Sequence, residues 1–291
     1  MAPAALAAPA AGGSAGWPAR LDLRFEAAAD GVIRLTHNRH GGPLRLLKAL
    51  ASGDGRRLEA VIVHPPGGLV GGDTLAIALD LRANARVLVT TPGQQKWYRS
   101  EATATACTHI RLAPGACLEW LPQPAILFDQ ARARQALTID MEPSATCMGW
   151  EVLVRGRAAM GEQFAGGHVD QTLSISVAQR LLWQERLHVE AHDRLFASPL
   201  GWAGRRVAAS VWCCAPGAAA DRLRDLRDRW RARLNGPAAV GGATIAADGL
   251  LLAKILADDS EQLMALCQSL WRSTRVVLEG DAGSAPRIWQ T

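Results

Sequence analysis

Leu79-Asp-Leu-Arg-Ala-Asn-Ala85, Ile110-Arg-Leu-Ala-Pro-Gly-Ala116 and Ile139-Asp-Met-Glu-Pro-Ser-Ala145 repeat one pattern three times. In each, two apolar residues flank a polar one, a turn at Pro-Gly or its substitute follows, and an alanine closes the unit. An apolar run comes next: Val87 to Val89, Cys117 to Trp120, and Thr146 to Trp150. Alternation followed by a turn and a second apolar run reads as strand, turn, strand. The closing alanines are 31 and 29 residues apart. Units recurring at that distance predict stacked or wound layers of sheet sharing one core. A chance recurrence in a strand-rich chain is the competing reading.

The same period of two extends outward, from Arg20 to about Cys214. Leu21, Leu23 and Phe25 alternate with Asp22, Arg24 and Glu26, and Ile77, Leu79 and Leu81 with Ala78, Asp80 and Arg82. Further on, Gln184, Arg186, His188, Glu190 and His192 alternate with Trp183, Leu187, Val189 and Ala191, with Glu185 as the exception. Two segments break the period. Leu223, Leu226, Trp230 and Leu234 have helical spacing and predict a helix over 221–234, stopped by Asn235-Gly236-Pro237. A second helix is expected from about Asp259 to Ser273, with Leu263, Leu266, Cys267 and Leu270 on one face and Asp258 and Glu261 as its capping pair. The Gly/Ala-rich stretch Ala238 to Gly249 reads as a loop. The fold class is therefore mainly β, with wound or stacked, β-helix-like sheets and about two α-helices in the C-terminal third.

Composition narrows the function. The 291 residues are 49% hydrophobic and 20% charged, enough to bury a full core. No apolar run is long enough for a transmembrane helix. Six cysteines without a CxxC pair exclude a zinc ribbon and a thioredoxin-type motif. The three lysines, Lys48, Lys96 and Lys254, are never preceded by Gly, so no P-loop is present and nucleotide hydrolysis by this chain alone is not expected. Residues 1–19 form an Ala/Pro/Gly tract without Lys or Arg before Arg20, broken by Pro3 and Pro9. It lacks the build of a secretory signal and predicts a disordered tail ahead of one domain, 20–291, in a cytoplasmic protein with reduced thiols. The net charge of +5 is local, because Asp221 to Arg233 holds six Arg and three Asp. That is too narrow a basic field for nucleic acid. It suits a solvated helix face or, through Arg224, Arg227 and Arg231, a docking surface for an acidic partner.

Three segments could carry chemistry. His64-Pro-Pro-Gly-Gly-Leu-Val-Gly-Gly-Asp73 bends sharply between strands, and its end residues His64 and Asp73 could meet across the bend. Thr90-Thr-Pro-Gly-Gln-Gln-Lys-Trp-Tyr-Arg-Ser100 carries Lys96 and the only tyrosine, Tyr98, and reads as an interaction edge or structural corner rather than a catalytic site. His188, Glu190 and His192 would share one face of a strand, a ligand set suited to Zn, Ni, Cu or Fe, or else a solvated polar face. His37, His40, His109 and His168 are isolated. Cys213-Cys214 would point to opposite faces of a strand and suits core packing.

Taken together, the residues resemble the UreD (UreH) family of urease accessory proteins. The resemblance rests on His64 to Asp73, on Thr90-Thr-Pro-Gly with Trp97-Tyr-Arg-Ser100, and on Leu118-Glu-Trp-Leu-Pro-Gln123, Gly149-Trp-Glu-Val-Leu153, Ser198-Pro-Leu-Gly-Trp-Ala-Gly204 and Pro286-Arg-Ile-Trp289. The chain departs from the family's form at Leu58-Glu59 and at Phe128 to Ala133. The resemblance implies a non-enzymatic chaperone that binds the urease apoprotein and UreF and, through UreF, the GTPase UreG. Nickel would be delivered through an internal polar channel, with no permanently bound cofactor, no nucleic acid and no membrane. Such a conduit needs scattered weak ligands rather than a closed cage. The candidate channel residues are His64, Asp73, Glu119, Glu185, His188, Glu190 and His192. Candidate partner contacts are Arg224, Arg227, Arg231, Lys96 and Tyr98. The alternatives are a β-solenoid enzyme acting on carbohydrate, or a metal-dependent enzyme built on the face of His188, Glu190 and His192.

Overall fold

The computed structural model describes residues 16–234, 236 and 239–290. In chain order its elements are β1 (Pro18–Ala27), β2 (Ile33–Gly41), β3 (Arg45–Ala51), β4 (Leu58–Val63), β5 (Gly68–Leu69), β6 (Thr74–Leu81), β7 (Arg86–Thr90), β8 (Gln95–Trp97), β9 (Ala104–Leu112) and β10 (Cys117–Leu121). There follow β11 (Ala125–Leu127), β12 (Ala131–Met141), β13 (Thr146–Arg155), β14 (Gly167–Val177), β15 (Arg180–Glu190), β16 (Val207–Cys214), α1 (Ala220–Leu234), β17 (Val240–Ala247), β18 (Leu250–Ala257) and α2 (Ser260–Glu279). The expected tail falls mostly on residues 1–15, outside the described ones. Pro18 and Ala19 already belong to β1.

The three repeats are three coils of one winding. Each puts a strand in a seven-stranded sheet (β6, β9, β12), turns at the alanine, and puts the next strand in an eleven-stranded sheet (β7, β10, β13). Within each sheet these strands are parallel to one another. Backbone bonds tie one coil to the next at the turns. The Cys117 amide donates to the Ala85 carbonyl at 2.8 Å, and the Thr146 amide to the Ala116 carbonyl at 2.9 Å. Ala85, Ala116 and Ala145 are buried where the two sheets meet, which explains the small side chain at each. The two sheets curl into a half-barrel, as the wound reading expects.

The seven-stranded order is β15-β14-β12-β9-β6-β1-β2, and the main path of the other sheet is β17-β18-β16-β13-β10-β7-β4-β3, with β5, β8 and β11 paired beside it. Register shifts interrupt four pairings, β1 with β2, β14 with β15, β17 with β18 and β3 with β4. These are the outermost pairs of the two main strand orders. Strand alternation then makes two cores. Leu21, Phe25, Ile110, Leu118, Ile139 and Ile175 fill the space between the sheets. Met148, Trp150, Val211 and Leu251 face outward from the eleven-stranded sheet, under Leu226 and Trp230 of α1 and Leu263, Leu270 and Trp271 of α2. Cys213 lies in the outer core and Cys214 in the inner one, on opposite faces as expected.

Two expectations are corrected. Val240–Ala247, within the stretch read as a loop, is a strand paired with β18. Its small residues suit close packing, since a Cβ on Gly241 would lie 2.8 Å from the Lys254 carbonyl oxygen and 3.3 Å from Leu234. The second helix runs past Ser273 to Glu279, and its cap is Asp259, which accepts the Gln262 amide at 2.8 Å, rather than Asp258. Asn235 and Pro237 of the expected helix stop lie outside the described residues, though α1 does end at Leu234.

The extra turns of α2 carry charge into the outer core. Glu119, only 3% exposed, ion-pairs with Arg57 and with Arg275 at 3.3 Å, and accepts the Trp271 Nε1–H at 2.9 Å. Glu279 pairs with Arg57 and with Arg86 at 3.0 Å. Burial pushes the Glu119 carboxyl up against the pull of Arg57 and Arg275. Burial acts the same way on Glu279, but there Arg57 and Arg86 prevail and hold it low. Trp289 closes the arrangement, its ring 5.8 Å from Trp271 and 6.0 Å from Trp150, its Nε1–H donating to Thr90 Oγ1 at 2.8 Å. Glu119→Ala takes one carboxylate from Arg57, which keeps Glu279, and from Arg275, which keeps Asp281, leaves the Trp271 Nε1–H unbonded, and is expected to cost about 1–3 kcal/mol in denaturant unfolding. Glu119→Gln, which keeps an acceptor for Trp271, should cost less. A loss under about 1 kcal/mol for the alanine variant would show that the network does not support the helix.

Candidate functional site: a polar seam between the sheets

Alternation should make the inward positions between the sheets apolar, yet one group of six is polar. Gln135 (β12), Gln171 (β14) and Glu185 (β15) face inward from the seven-stranded sheet. Glu151 (β13), Ser210 (β16) and Lys254 (β18) face them from the other. Register aligns these groups, with Gln135 opposite Gln171 and Glu151, Ser210 and Lys254 in one row across three strands.

Glu151 is the centre of the seam. Its carboxylate accepts the Trp120 Nε1–H at 3.0 Å, a Gln135 amide hydrogen, and the Gln171 Nε2–H at 3.3 Å. No Lys, Arg or His comes within ion-pair distance of it among the described residues. Burial pushes its carboxyl from the ordinary 4.5 up to about 7; the Glu185 charge adds to the rise, while the Trp120 and glutamine donors oppose it. Turning either glutamine amide over would offer an oxygen to the protonated acid. Glu185 accepts the Ser210 hydroxyl on Oε1 at 2.7 Å and ion-pairs with Lys254, whose ammonium donates to Ser210 Oγ at 2.7 Å. The other oxygen of Glu185, Oε2, is buried without a hydrogen-bond partner, as is Gln95 Nε2.

Beside Glu151 lies a small void of about 60 Å³, bounded by Gln95, Trp120, Gln123 and Gln135. It shares Leu75, Ile77, Thr91 and Gln95 with a larger cavity of about 380 Å³, whose walls include His64, Pro65, Gly68 and Lys96. The two glycine-rich segments singled out in the sequence fold onto each other at this mouth. Gly68 and Leu69 pair with Lys96 and Trp97. A Cβ on Gly68 would lie 2.4 Å from the Tyr98 ring, so only glycine allows the approach. Tyr98 meets the Phe128 ring edge-on at 5.0 Å. The polar side chains thus form a row from the mouth, past Glu151, to Glu185 and Lys254 at the far edge.

The expected site residues divide accordingly. His64 lines the mouth, and burial lowers its imidazole below the ordinary value while Asp73 pulls the other way. Asp73 does not hydrogen-bond His64. It accepts the Trp17 and Val70 amides, both at 2.9 Å, and braces the loop. Lys96 sits on the mouth wall and Tyr98 packs beneath it. Glu185 lies in the seam, which explains its break in the alternation. Glu119 does not: Leu118 and Trp120 point between the sheets, so strand parity turns Glu119 outward into the arginine network under α2.

His188 and Glu190 lie exposed on the outer face of an edge strand, and His192 falls beyond its end, so the three do not form one row. Nδ1 of His188 is 3.7 Å from Asp170, a carboxylate that also accepts from Nε and Nη2 of Arg186, each at 3.2 Å. No group of three or more His, Cys, Asp or Glu among the described residues could hold a metal. On α1, Arg224 and Arg227 pair with Asp221 and Asp228, while Arg231 donates to the Ala243 carbonyl at 2.8 Å. Three of the six arginines of the basic run, Arg224, Arg227 and Arg229, pair with its three acids, and the other three bond to neutral groups. Glu151, Gln135, Gln171 and Lys254 escaped the sequence reading. Their signal was a polar residue at an inward parity, visible in Trp150-Glu-Val-Leu153 but meaningless until strand partners are known.

A family model described as UreD urease accessory protein matches residues 18–290. The urease accessory protein UreD of Pseudomonas aeruginosa is 40% identical over 276 residues, spanning 94% of this chain and 95% of that protein. Its counterpart in Dechloromonas aromatica is 37% identical and spans 96% of both chains. That of Chromohalobacter salexigens is 35% identical, over 94% of this chain and 89% of its own.

Glu151→Gln tests the buried acid. A carboxyl whose value rises on folding contributes fully below the ordinary 4.5 and loses that contribution as pH climbs through about 7. The full effect is worth roughly 3 kcal/mol. Relative to wild type, the glutamine variant should therefore gain unfolding stability between about pH 5 and about pH 8. A difference that does not change with pH would mean that Glu151 is charged throughout.

Proposed function

Since the chain belongs to the UreD family of urease accessory proteins, we propose that it passes Ni2+ through the seam to urease apoprotein, without catalysing a reaction of its own. In this reading UreF docks on the chain and brings the GTPase UreG, which supplies the metal. Nickel is cargo, and no cofactor stays bound. The work takes place in the cytoplasm, where thiols remain reduced; the six cysteines here are free, and no helix of the described residues is long and apolar enough to cross a membrane.

The observation that supports this reading is the run of polar groups buried between two apolar sheet faces. A divalent ion crossing that space meets the carboxylates of Glu151 and Glu185 and the amides of Gln95, Gln135 and Gln171. Such a set binds well enough to admit the ion and is too sparse to trap it. A buried, unpaired carboxyl near neutrality can give up its proton as the cation arrives, so the charge stays balanced at each step. An enzyme built on His188 has less support, because that side chain is engaged by Asp170 on an open face.

Glu151→Ala and Glu185→Ala are expected to lower urease activation about tenfold, the effect of one lost ligand, when co-expressed with urease and the other accessory proteins. Complex formation should survive, as judged by co-purification. Full activation by both variants would remove the seam from the path.

A further inference from the structure

Lys254 is one of three lysines in the chain and the only cation that ion-pairs with a carboxylate of the seam among the described residues. It stands at the far end from the mouth. Its ammonium bridges Ser210 Oγ, at 2.7 Å, and Glu185 Oε1. The Lys254 side chain is 54% exposed, whereas Glu185 is 25% exposed and keeps Oε2 buried and without a hydrogen bond. The two partners are therefore unequal. The carboxylate is fixed by its strand and by Ser210. The ammonium, on a flexible stem that already reaches solvent, can leave without breaking backbone structure.

A carboxylate with one oxygen engaged and the other buried and bare is incompletely satisfied. Oε2 is the Glu185 oxygen that no donor holds, and the Glu151 carboxyl is close enough to feel the Glu185 charge. A divalent ion and the lysine ammonium then compete for one carboxylate. On this basis, and resting on the reading of the seam as a metal path, we infer that Lys254 is a displaceable counter-cation: it occupies Glu185 when the path is empty, swings to solvent when a divalent metal arrives, and returns to expel it. Lys254 thereby keeps the end of the path from becoming a sink for the metal it passes.

The test is direct Ni2+ binding to the purified full chain by equilibrium dialysis or calorimetry, without urease. Lys254→Met should bind Ni2+ at least about tenfold more tightly than wild type, since its competitor is gone. Adding Glu185→Gln to that variant should abolish the gain. In co-expression, Lys254→Met should slow urease activation because metal is held back, while Lys254→Arg should retain wild-type-like Ni2+ affinity. Unchanged affinity in Lys254→Met overturns the counter-cation role, as does a gain that survives Glu185→Gln. Should Lys254→Met fold poorly, Lys254→Gln provides the same comparison at a half-exposed position. The underlying reading fails separately: tighter binding by Lys254→Met together with normal urease activation by Glu151→Ala and Glu185→Ala would keep the cation competition and remove the path.

Discussion

Two backbone hydrogen bonds, from Cys117 to the Ala85 carbonyl and from Thr146 to the Ala116 carbonyl, hold the molecule's coils in register. They sit where the chain passes from one sheet to the other. Once the turns are stacked, each strand must lie parallel to the one a coil away, and its two faces are decided. A slip of one residue would turn every inward side chain outward. The inner core, the outer core under the helices, and the polar seam all follow from that one alignment.

The seam is what the alignment leaves over. A polar group between two apolar faces is costly unless it is bonded, so each such group in a winding core calls for a reason. Glu151 is bonded by three neutral donors and by no cation, and that balance places its titration near neutrality. Glu119 shows the contrary solution one strand away. It is buried as deeply, but two guanidiniums and an indole hold it, and it anchors the C-terminal turns of α2. The same residue type is locked in an ion-pair network on one face of the sheet and left as a raised, unpaired acid on the other, depending on whether arginine is within reach.

Much of the fold was legible in the sequence. The alanine-closed repeats carried the winding, and alternation from Leu21 to Phe25 and around Ile77 carried the inward faces. The edge strand 240–247 was not legible, because glycine and alanine read as loop until their partner strand and α1 are placed above them. The candidate site was legible only at its mouth, through His64 and the glycine pairs, and at Glu185, through an exception to a pattern. Gln135, Gln171 and Lys254 come from three separate strands, and no spacing along the chain can show that they meet. The histidine row stayed ambiguous for a related reason. A solvated sheet face and a metal site draw on the same residues, and only the position of Asp170 and the end of β15 separate them.

The four register shifts fall on the outermost pair at each end of the two main strand orders and on no interior pair among the described residues. A bulge twists a border strand and spoils the regular ladder that another strand would need in order to add on. An open half-barrel has no closure to hide such borders, and a chain with this much strand would otherwise be a template for its own polymerisation. Irregularity at the rim thus favours partners that recognise side chains and loops over further copies adding by backbone alone.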